Sequence, residues 1–226
     1  MPSEVKLGDV TVTWFGHASF MISSGSTKIY IDPFVLPNHV EKSDFILVTH
    51  DHFDHCHEEN VRKLRHDSTK VIGAISSIKK LGFGMPMNVD KHVEHAGVKI
   101  TAVEAYNVNK FRAPEQPFHP RGLGVGFVIE IAGKKIYHTG DTDHIPEMAE
   151  LQKHSIDLAL LPIGGTYTMT TGEAAEAAKS IKPKTIVPMH YNSDKYGVTG
   201  INADPIEVAK LLIGKGIVVN ILSPLC

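Results

Sequence analysis

Cysteine, net charge and long apolar runs are all scarce in this sequence, and each scarcity excludes a class of protein. The 226 residues include only two cysteines, Cys56 and Cys226, which excludes a disulfide framework and favours a reducing compartment. No apolar run approaches the roughly 20 residues of a membrane span, and Met1 to Lys6 lacks the apolar core of a signal peptide. We therefore expect a cytoplasmic protein without a membrane span.

Charge of either sign is nearly balanced. Lysine and arginine number 23 and aspartate and glutamate 25, so the net charge is −2 and no overall field attracts nucleic acid. Hydrophobic residues make up 42% and charged residues 21%, values typical of globular proteins and not of disordered chains or coiled coils. The length allows one domain over residues 1–226 or two smaller ones, and the charge balance predicts no nucleic-acid partner.

Histidine is the residue in excess, with 14 copies, and it is the commonest metal ligand in proteins. Three histidines and an aspartate follow the apolar run at 45–49, which predicts a strand buried on both faces. Side chains two apart in an extended segment point the same way, so His50 and His52 can bind one ion. Asp54 and His55 then face a second position. A helix N-cap at Asp54 or solvated histidines would explain single residues, but not all four.

Two later strand ends carry the same kind of side chain. Asp141 follows a predicted strand, and Gly140 before it allows close backbone approach. His190 ends another predicted strand. A turn aspartate and a hydrogen-bonded core histidine are the ordinary interpretations of these two residues. Together with the first cluster, however, they predict a metal site to which three strand ends contribute, with Asp141 placed to bridge two ions.

The alternation of apolar and polar residues predicts two similar halves, each with strands first and helices later, whose sheets face each other with the helices outside. The irregular stretch 107–122 holds three prolines and predicts a functional lid or binding loop. We predict helices at 58–65, 75–81, 171–181 and 203–214. We predict strands at 10–15, 19–23, 28–32, 45–49, 71–74, 98–105, 124–131, 135–139, 156–162, 185–189 and 217–222.

The His-x-His-x-Asp-His signature at His50 to His55, the Gly140 to Thr142 turn and the late His190 resemble the metallo-beta-lactamase superfamily. Trp14 to Phe20 and Ile31 to Phe34 are similar to the opening of one branch. That branch includes small metal-dependent hydrolases, sugar-phosphate lactonases of the ascorbate 6-phosphate type and N-acyl phosphatidylethanolamine phospholipases. The resemblance covers nearly the whole chain. It implies an α/β fold, a four-layer αββα sandwich with a dinuclear site at one edge of the sheets.

The resemblance implies a hydrolase in which a metal-bound hydroxide, oriented by Asp54, attacks an ester-type bond of a small molecule: a lactone, a carboxylic ester or a phosphodiester. Two zinc ions are the expected cofactor, with manganese or iron as alternatives. Alternative functions are an RNA or DNA phosphodiesterase and a metal-binding protein without catalysis. Arg121 and Lys110 are candidates for neutralising an anionic substrate group, or belong to a solvated loop. The expected metal ligands are His50, His52, Asp54, His55, Asp141 and His190.

One position departs from the family pattern, because relatives usually supply a further histidine where this chain has Asn107. Asn107 is a weak oxygen ligand, and His119 of the irregular loop is the alternative, as a ligand, a substrate contact or a solvated residue. If neither substitutes, occupancy by one metal is expected. Asp32 can hold a ligand histidine in its tautomer or can be a turn aspartate. His17 lines the cleft or caps a turn.

Overall fold

Two seven-stranded sheets form the centre of the computed structural model, which describes residues 1–226. The first sheet has its strands in chain order, antiparallel over the first four strands and parallel over the last four. Its strands are β1 (Glu4–Leu7), β2 (Val10–Gly16), β3 (Ser19–Ser24), β4 (Thr27–Ile31), β5 (Phe45–Val48), β6 (Lys70–Ala74) and β7 (Met85–Met87).

The second sheet has the order β16-β15-β14-β13-β12-β9-β8, with antiparallel pairing at the β8 end and parallel pairing from β13 to β16. A small hairpin of β10 (Phe111–Ala113) and β11 (Gln116–Pro117) stands apart from both sheets. The other strands are β8 (His92–His95), β9 (Val98–Ala105), β12 (Gly124–Ile131), β13 (Lys134–His138), β14 (Leu158–Pro162), β15 (Thr185–Met189) and β16 (Val218–Val219).

Helices cover the outer face of each sheet. Next to the first sheet lie α1 (Glu58–Leu64) and α2 (Ile75–Leu81), and next to the second lie α3 (Thr171–Ile181) and α4 (Pro205–Leu211). Two 3₁₀ helices span Pro146–His154 and Asp194–Tyr196. The capping box of Thr170 and Glu173 begins α3, and its alanine-rich face is buried. None of the helices has the length and apolar character needed to cross a lipid bilayer.

Strand β5 shows how the layers are held together. Phe45 and Leu47 belong to the core between the sheets, whereas Ile46 and Val48 pack in the cluster that includes Val61 of α1. Successive strand residues point to opposite faces, so an uninterrupted apolar strand fills both cores at once. The predicted four-layer αββα sandwich of an α/β protein is confirmed, with its two sheets in the middle.

The predicted elements differ from the observed ones mainly at the edges of the sheets. The strand predicted at 217–222 pairs only over Val218–Val219, and the helix predicted at 203–214 is Pro205–Leu211, where Asp204 caps the first turn. Prediction missed β1, β7, β8, the β10–β11 hairpin inside the stretch expected to be irregular, and both 3₁₀ helices. Strand β9, expected to complete the first half, pairs instead with β12 in the second sheet.

Parallel strands in both sheets end at the same edge of the sandwich. In the first sheet β4 is followed by Asp32, and β5 by Thr49 and His50. In the second sheet β13 leads into Asp141, and β15 leads directly into His190. Because the carboxyl ends of parallel strands meet at one edge, residues far apart in the chain converge there.

Candidate metal centre

Three histidines form the first group of the centre: His50, His52 and His119. Their ligand nitrogens lie within 4.8 Å of one another, and the His52 Nδ1 is 3.1 Å from the His119 Nε2. His119 comes from the loop that follows the β10–β11 hairpin and is only 3% exposed, so it is not a solvated loop residue. His119 lies beside His50 and His52. The sequence had left open whether Asn107 or His119 stands in the position where relatives have a further histidine.

A second group contains Asp54, His55 and His190, with His17 against it. Their ligand atoms also lie within 4.8 Å of one another, and all four residues are buried. His190 and His17 have left-handed backbone conformations, with φ of 56° and 52°. Such conformations in residues other than glycine concentrate at functional sites. The two groups adjoin, since the ring centroids of His50 and His55 are 4.1 Å apart.

The Asp141 carboxylate lies between the two groups. Its Oδ2 is 3.3 Å from the His119 Nε2 of the first group and 3.1 Å from the His190 Nε2 of the second. Its Oδ1 is 3.4 Å from the His55 Nε2. Gly140 makes this turn possible, because its φ is 63° and a Cβ there would lie 3.0 Å from the Thr49 Cβ.

Several ligand atoms of the centre have no hydrogen-bond partner although they are fully buried. They are the Nε2 atoms of His50, His55 and His190 and the Oδ1 of Asp141. Buried polar atoms in proteins are nearly always satisfied, so unsatisfied lone pairs that converge on one place call for a cation. Imidazole nitrogens and carboxylates are the donors that zinc, manganese and iron accept. The residues present therefore fit a divalent metal.

Asp32 fixes the orientation of one histidine from each group. Its Oδ2 accepts a hydrogen bond from the His55 Nδ1 at 2.7 Å and another from the Thr49 hydroxyl at 2.7 Å, and its Oδ1 accepts from the Thr49 N–H. Since the Thr49 hydroxyl donates to Asp32, it accepts from the His50 Nδ1 at 3.0 Å. Both histidines thus carry their proton on Nδ1, which leaves each Nε2 lone pair free for a metal.

Asn107 holds His119 in a comparable way. The Asn107 Oδ1 accepts from the His119 backbone N–H at 2.7 Å and lies 2.9 Å from the His119 Nδ1. The Asn107 Nδ2 donates to the Asp143 carboxylate and to the Tyr167 carbonyl. The amide oxygen is thereby occupied, so the structure places Asn107 behind His119 and not among the ligand atoms.

His17 connects Asp54 to Ser193. The His17 Nε2 is 3.0 Å from the Asp54 Oδ2, and the His17 Nδ1 is 2.9 Å from the Ser193 Oγ. Burial lowers the pKa of His17 to about 4, so the ring is neutral, donates through Nε2 and accepts from Ser193. Ser193 is 0% exposed and does not line the cavity, so this Ser-His-Asp arrangement positions Asp54 and offers no serine nucleophile.

The electrostatics of the centre divide the histidines into two kinds. Burial lowers the pKa of His50 well below its usual value and lowers that of His52 to about 4, so both rings are neutral. For His55, burial lowers the pKa, but the carboxylates of Asp141 and Asp32 outweigh it and raise the pKa well above its usual value. The acid groups therefore demand positive charge at this place, which is what a divalent cation supplies.

An open cavity of about 310 Å³ leads to the ligand atoms. His52, Asp54, His119, Asp141 and His190 form its floor. Its walls are Phe53, Phe118, Tyr167, Gly197, Val198 and Thr199. Sequence reasoning missed these wall residues, as it missed the roles of Thr49 and Ser193. No local motif marks them, because four separate loops bring them together.

Comparison with known proteins gives three results. A family model described as the beta-lactamase superfamily domain matches residues 11–190. A protein of Pelotomaculum thermopropionicum named UPF0173 metal-dependent hydrolase is 37% identical over 234 residues, covering 94% of this chain and 96% of that protein. Among solved structures, a protein from Parabacteroides distasonis superposes with a TM-score of 0.82 at 34% identity, covering 94% of this chain and 92% of that one. Igni18, a metallo hydrolase from Ignicoccus hospitalis, does so with a TM-score of 0.76 at 28% identity, covering 95% of each chain.

Proposed function

The chain is a metal-dependent hydrolase of the metallo-beta-lactamase superfamily, and from that premise we propose that it hydrolyses an ester-type bond of a small molecule. The bond is a lactone, a carboxylic ester or a phosphodiester. The observation that carries this proposal is the convergence of unpartnered, buried ligand atoms on the floor of an open cavity. Such an arrangement serves chemistry on a molecule that enters from solvent.

We further propose that the centre holds two metal ions, with zinc expected and manganese or iron as alternatives. His50, His52 and His119 would hold the first ion, and Asp54, His55 and His190 the second. Asp141 would contribute to both, since its carboxylate lies beside His119 of the first group and beside His55 and His190 of the second. A reducing, cytoplasmic environment suits the two unpaired cysteines.

A bound divalent metal would supply hydroxide at neutral pH, because it lowers the pKa of water to about 7. The protein's own residues do the rest. The hydrogen bond from His17 and the neighbouring His55 outweigh burial and keep the pKa of Asp54 low. Ionised Asp54 lines the cavity floor and can accept a hydrogen bond that orients the attacking water. Asp32 and Asn107 keep the ligand histidines in place.

The test is an activity panel on the metal-loaded protein. We expect turnover of at least one class among lactones, carboxylic esters, thioesters and phosphodiesters, loss of it after chelation, and recovery on adding back zinc, manganese or iron. Asp54→Ala should abolish turnover and leave the circular dichroism spectrum unchanged. Asp51→Ala is the matched control. Asp51 lies three residues before Asp54 and carries the same charge, but its side chain belongs to neither ligand group.

Wild-type turnover in the Asp54→Ala protein would exclude the role given to Asp54. Tight metal binding with no turnover of any ester class would favour a metal-binding protein without catalysis. Activity confined to RNA or DNA would favour a nucleic-acid phosphodiesterase instead of a small-molecule hydrolase.

A further inference from the structure

The walls of the cavity carry no formal charge. Phe118 and Tyr167 form one wall, with ring centroids 4.9 Å apart in an edge-to-face arrangement. Phe53 is 60% exposed, and its ring centroid lies 5.8 Å from that of Phe34 in an edge-to-face arrangement. Val198 also lines the cavity. The carboxylates and histidines that line the cavity belong to the metal centre.

The cations nearest to these walls are engaged elsewhere. Lys110 pairs with Glu173 at 2.9 Å, and Arg121 pairs with Glu104 and Glu147, each at 2.7 Å. Neither lines the cavity, so the structure does not offer these two residues to an anionic substrate group.

Two more cations, Arg112 and Lys195, stand on segments that carry wall residues. The Arg112 guanidinium lies 5.5 Å from the centre of the Phe118 ring and donates to the Phe118 carbonyl. The Lys195 Nζ lies 4.7 Å from the centre of the Tyr196 ring and donates to the Cys226 carbonyl. Neither lines the cavity. An anionic group held against these walls, away from the metal ions proposed for the floor, would therefore lose part of its hydration and gain no side-chain cation as a partner, which is unfavourable.

We propose that the part of the substrate beside the scissile bond is uncharged and carries an aromatic ring or an apolar group of similar size. This inference rests on the proposed hydrolase function and narrows its substrate class. Aromatic rings pack edge-to-face or offset against Phe118 and Tyr167, and the volume of about 310 Å³ suits a group of one ring and not an extended polymer. The exposed Phe53 ring at the rim adds apolar surface that such a group would cover.

The experiment compares three acetate esters on the metal-loaded protein: benzyl acetate, ethyl acetate and 4-(acetoxymethyl)benzoate, which is benzyl acetate with a remote carboxylate. Each kcat/KM is divided by the rate of hydrolysis of that ester by hydroxide. We expect this normalised kcat/KM to be at least about tenfold higher for benzyl acetate than for the carboxylated ester. We expect it to be about tenfold higher for benzyl acetate than for ethyl acetate. Equal values for the neutral and carboxylated esters would overturn the inference.

Variants assign the preference to the walls. Phe118→Ala should reduce the preference for benzyl over ethyl acetate by about 3- to 10-fold, while Phe111→Ala, an exposed phenylalanine outside the cavity, should not change it. Since Phe118 adjoins His119, metal content is measured for each variant, and Tyr167→Ala provides a second wall variant. An equal effect of Phe118→Ala and Phe111→Ala would contradict the inference.

A charge added to the wall gives the reverse test. Thr199→Lys should raise kcat/KM for the carboxylated ester about fivefold relative to benzyl acetate, because the new cation can pair with the carboxylate. Gln116→Lys adds the same charge at an exposed position outside the cavity and should leave the ratio unchanged. A similar shift in both variants would show that net charge, and not the cavity wall, governs the ratio.

Binding provides a readout that needs no turnover. Ligand-observed NMR should show that benzyl alcohol binds to the metal-loaded protein and that 4-(hydroxymethyl)benzoate binds more weakly. Thr199→Lys should reduce the difference between the two affinities. If no ester of any kind is hydrolysed, the proposed function fails, yet this measurement still decides the inference. Stronger binding of the carboxylated alcohol to the unmodified protein would refute it.

Discussion

Replacing Asp32 with asparagine should disable one histidine in each ligand group by reversing its tautomer. The backbone N–H of Thr49 must keep the side-chain oxygen as its acceptor, so the new amide N–H₂ faces the His55 Nδ1 and the Thr49 hydroxyl. His55 then has to accept at Nδ1 and carry its proton on Nε2. The Thr49 hydroxyl now accepts from the amide and therefore donates to the His50 Nδ1. The ring proton of His50 then has to lie on Nε2, as in His55.

The size of the effect follows from the roles of these hydrogen bonds. Loss of a group that orients a metal ligand costs about 10- to 100-fold in metal affinity, or about 1.4 to 2.7 kcal/mol. Asp32→Asn should lower the affinity by this amount in both groups, whereas Thr49→Val should do so only in the group of His50. The fold should persist, because the two side chains have the same shape and asparagine tolerates the left-handed φ of 43° at this position.

Competition with a chromophoric chelator at neutral pH measures the two affinities, and long-range ¹H–¹⁵N NMR of the metal-free proteins reports the tautomer of His50, whose ring is neutral. The expected spectrum of the Asp32→Asn protein shows His50 protonated on Nε2. Unchanged affinities together with a His50 protonated on Nδ1 would refute the reasoning. An equal loss in both groups for Thr49→Val would show that the hydroxyl acts through general destabilisation.

Two further predictions concern the surroundings of the centre. Asn107→Ala should weaken metal binding in the group of His119 by about tenfold, because the Nδ1 partner of that histidine is lost; Asn109→Ala, an exposed neighbour, is the control, and equal losses in the two variants would contradict the role of Asn107. Burial lowers the pKa of His138 below its usual value of about 6.5. The unfolded chain therefore binds a proton first, and the stability contribution of His138, full above about pH 6.5, declines as the pH falls below that value, by up to about 1.4 kcal/mol per pH unit. Urea unfolding of the metal-free protein between about pH 7 and about pH 5 should show a smaller decline in the free energy of unfolding for His138→Gln than for wild type. Parallel declines in the two proteins would contradict the contribution assigned to His138.

Elements in the middle of the sheets could be predicted closely, and elements at the edges could not. The bounds predicted for β9, β12 and α3 agree with the observed ones, because β9 alternates over most of its length, β12 is buried almost throughout and α3 buries one face. Strand β8 has the sequence His-Val-Glu-His and is mostly exposed, so its pairing with β9 leaves little trace in hydrophobicity. Polar edge strands are set by the neighbour they pair with, not by their own composition.

The candidate site divides along the same line. His50, His52, Asp54 and His55 could be predicted together because they are contiguous and follow a buried strand, so local backbone geometry alone brings them near one another. His119 could not be placed from the sequence, because its position depends on the hairpin before it and on the hydrogen bonds that the Asn107 Oδ1 accepts from it.

The amino-acid sequence by itself determined the chemical type of the centre, since the kinds of donor atoms and their attachment to strand ends are properties of the covalent chain. Only the tertiary structure decided which histidine completes the first group, how Asp32 sets two tautomers at once, and that the walls above carry no charge. Each of these depends on atoms from segments distant in the chain coming within hydrogen-bonding or van der Waals distance. Packing of the two sheets fixes those distances, and residue spacing along the chain does not encode them.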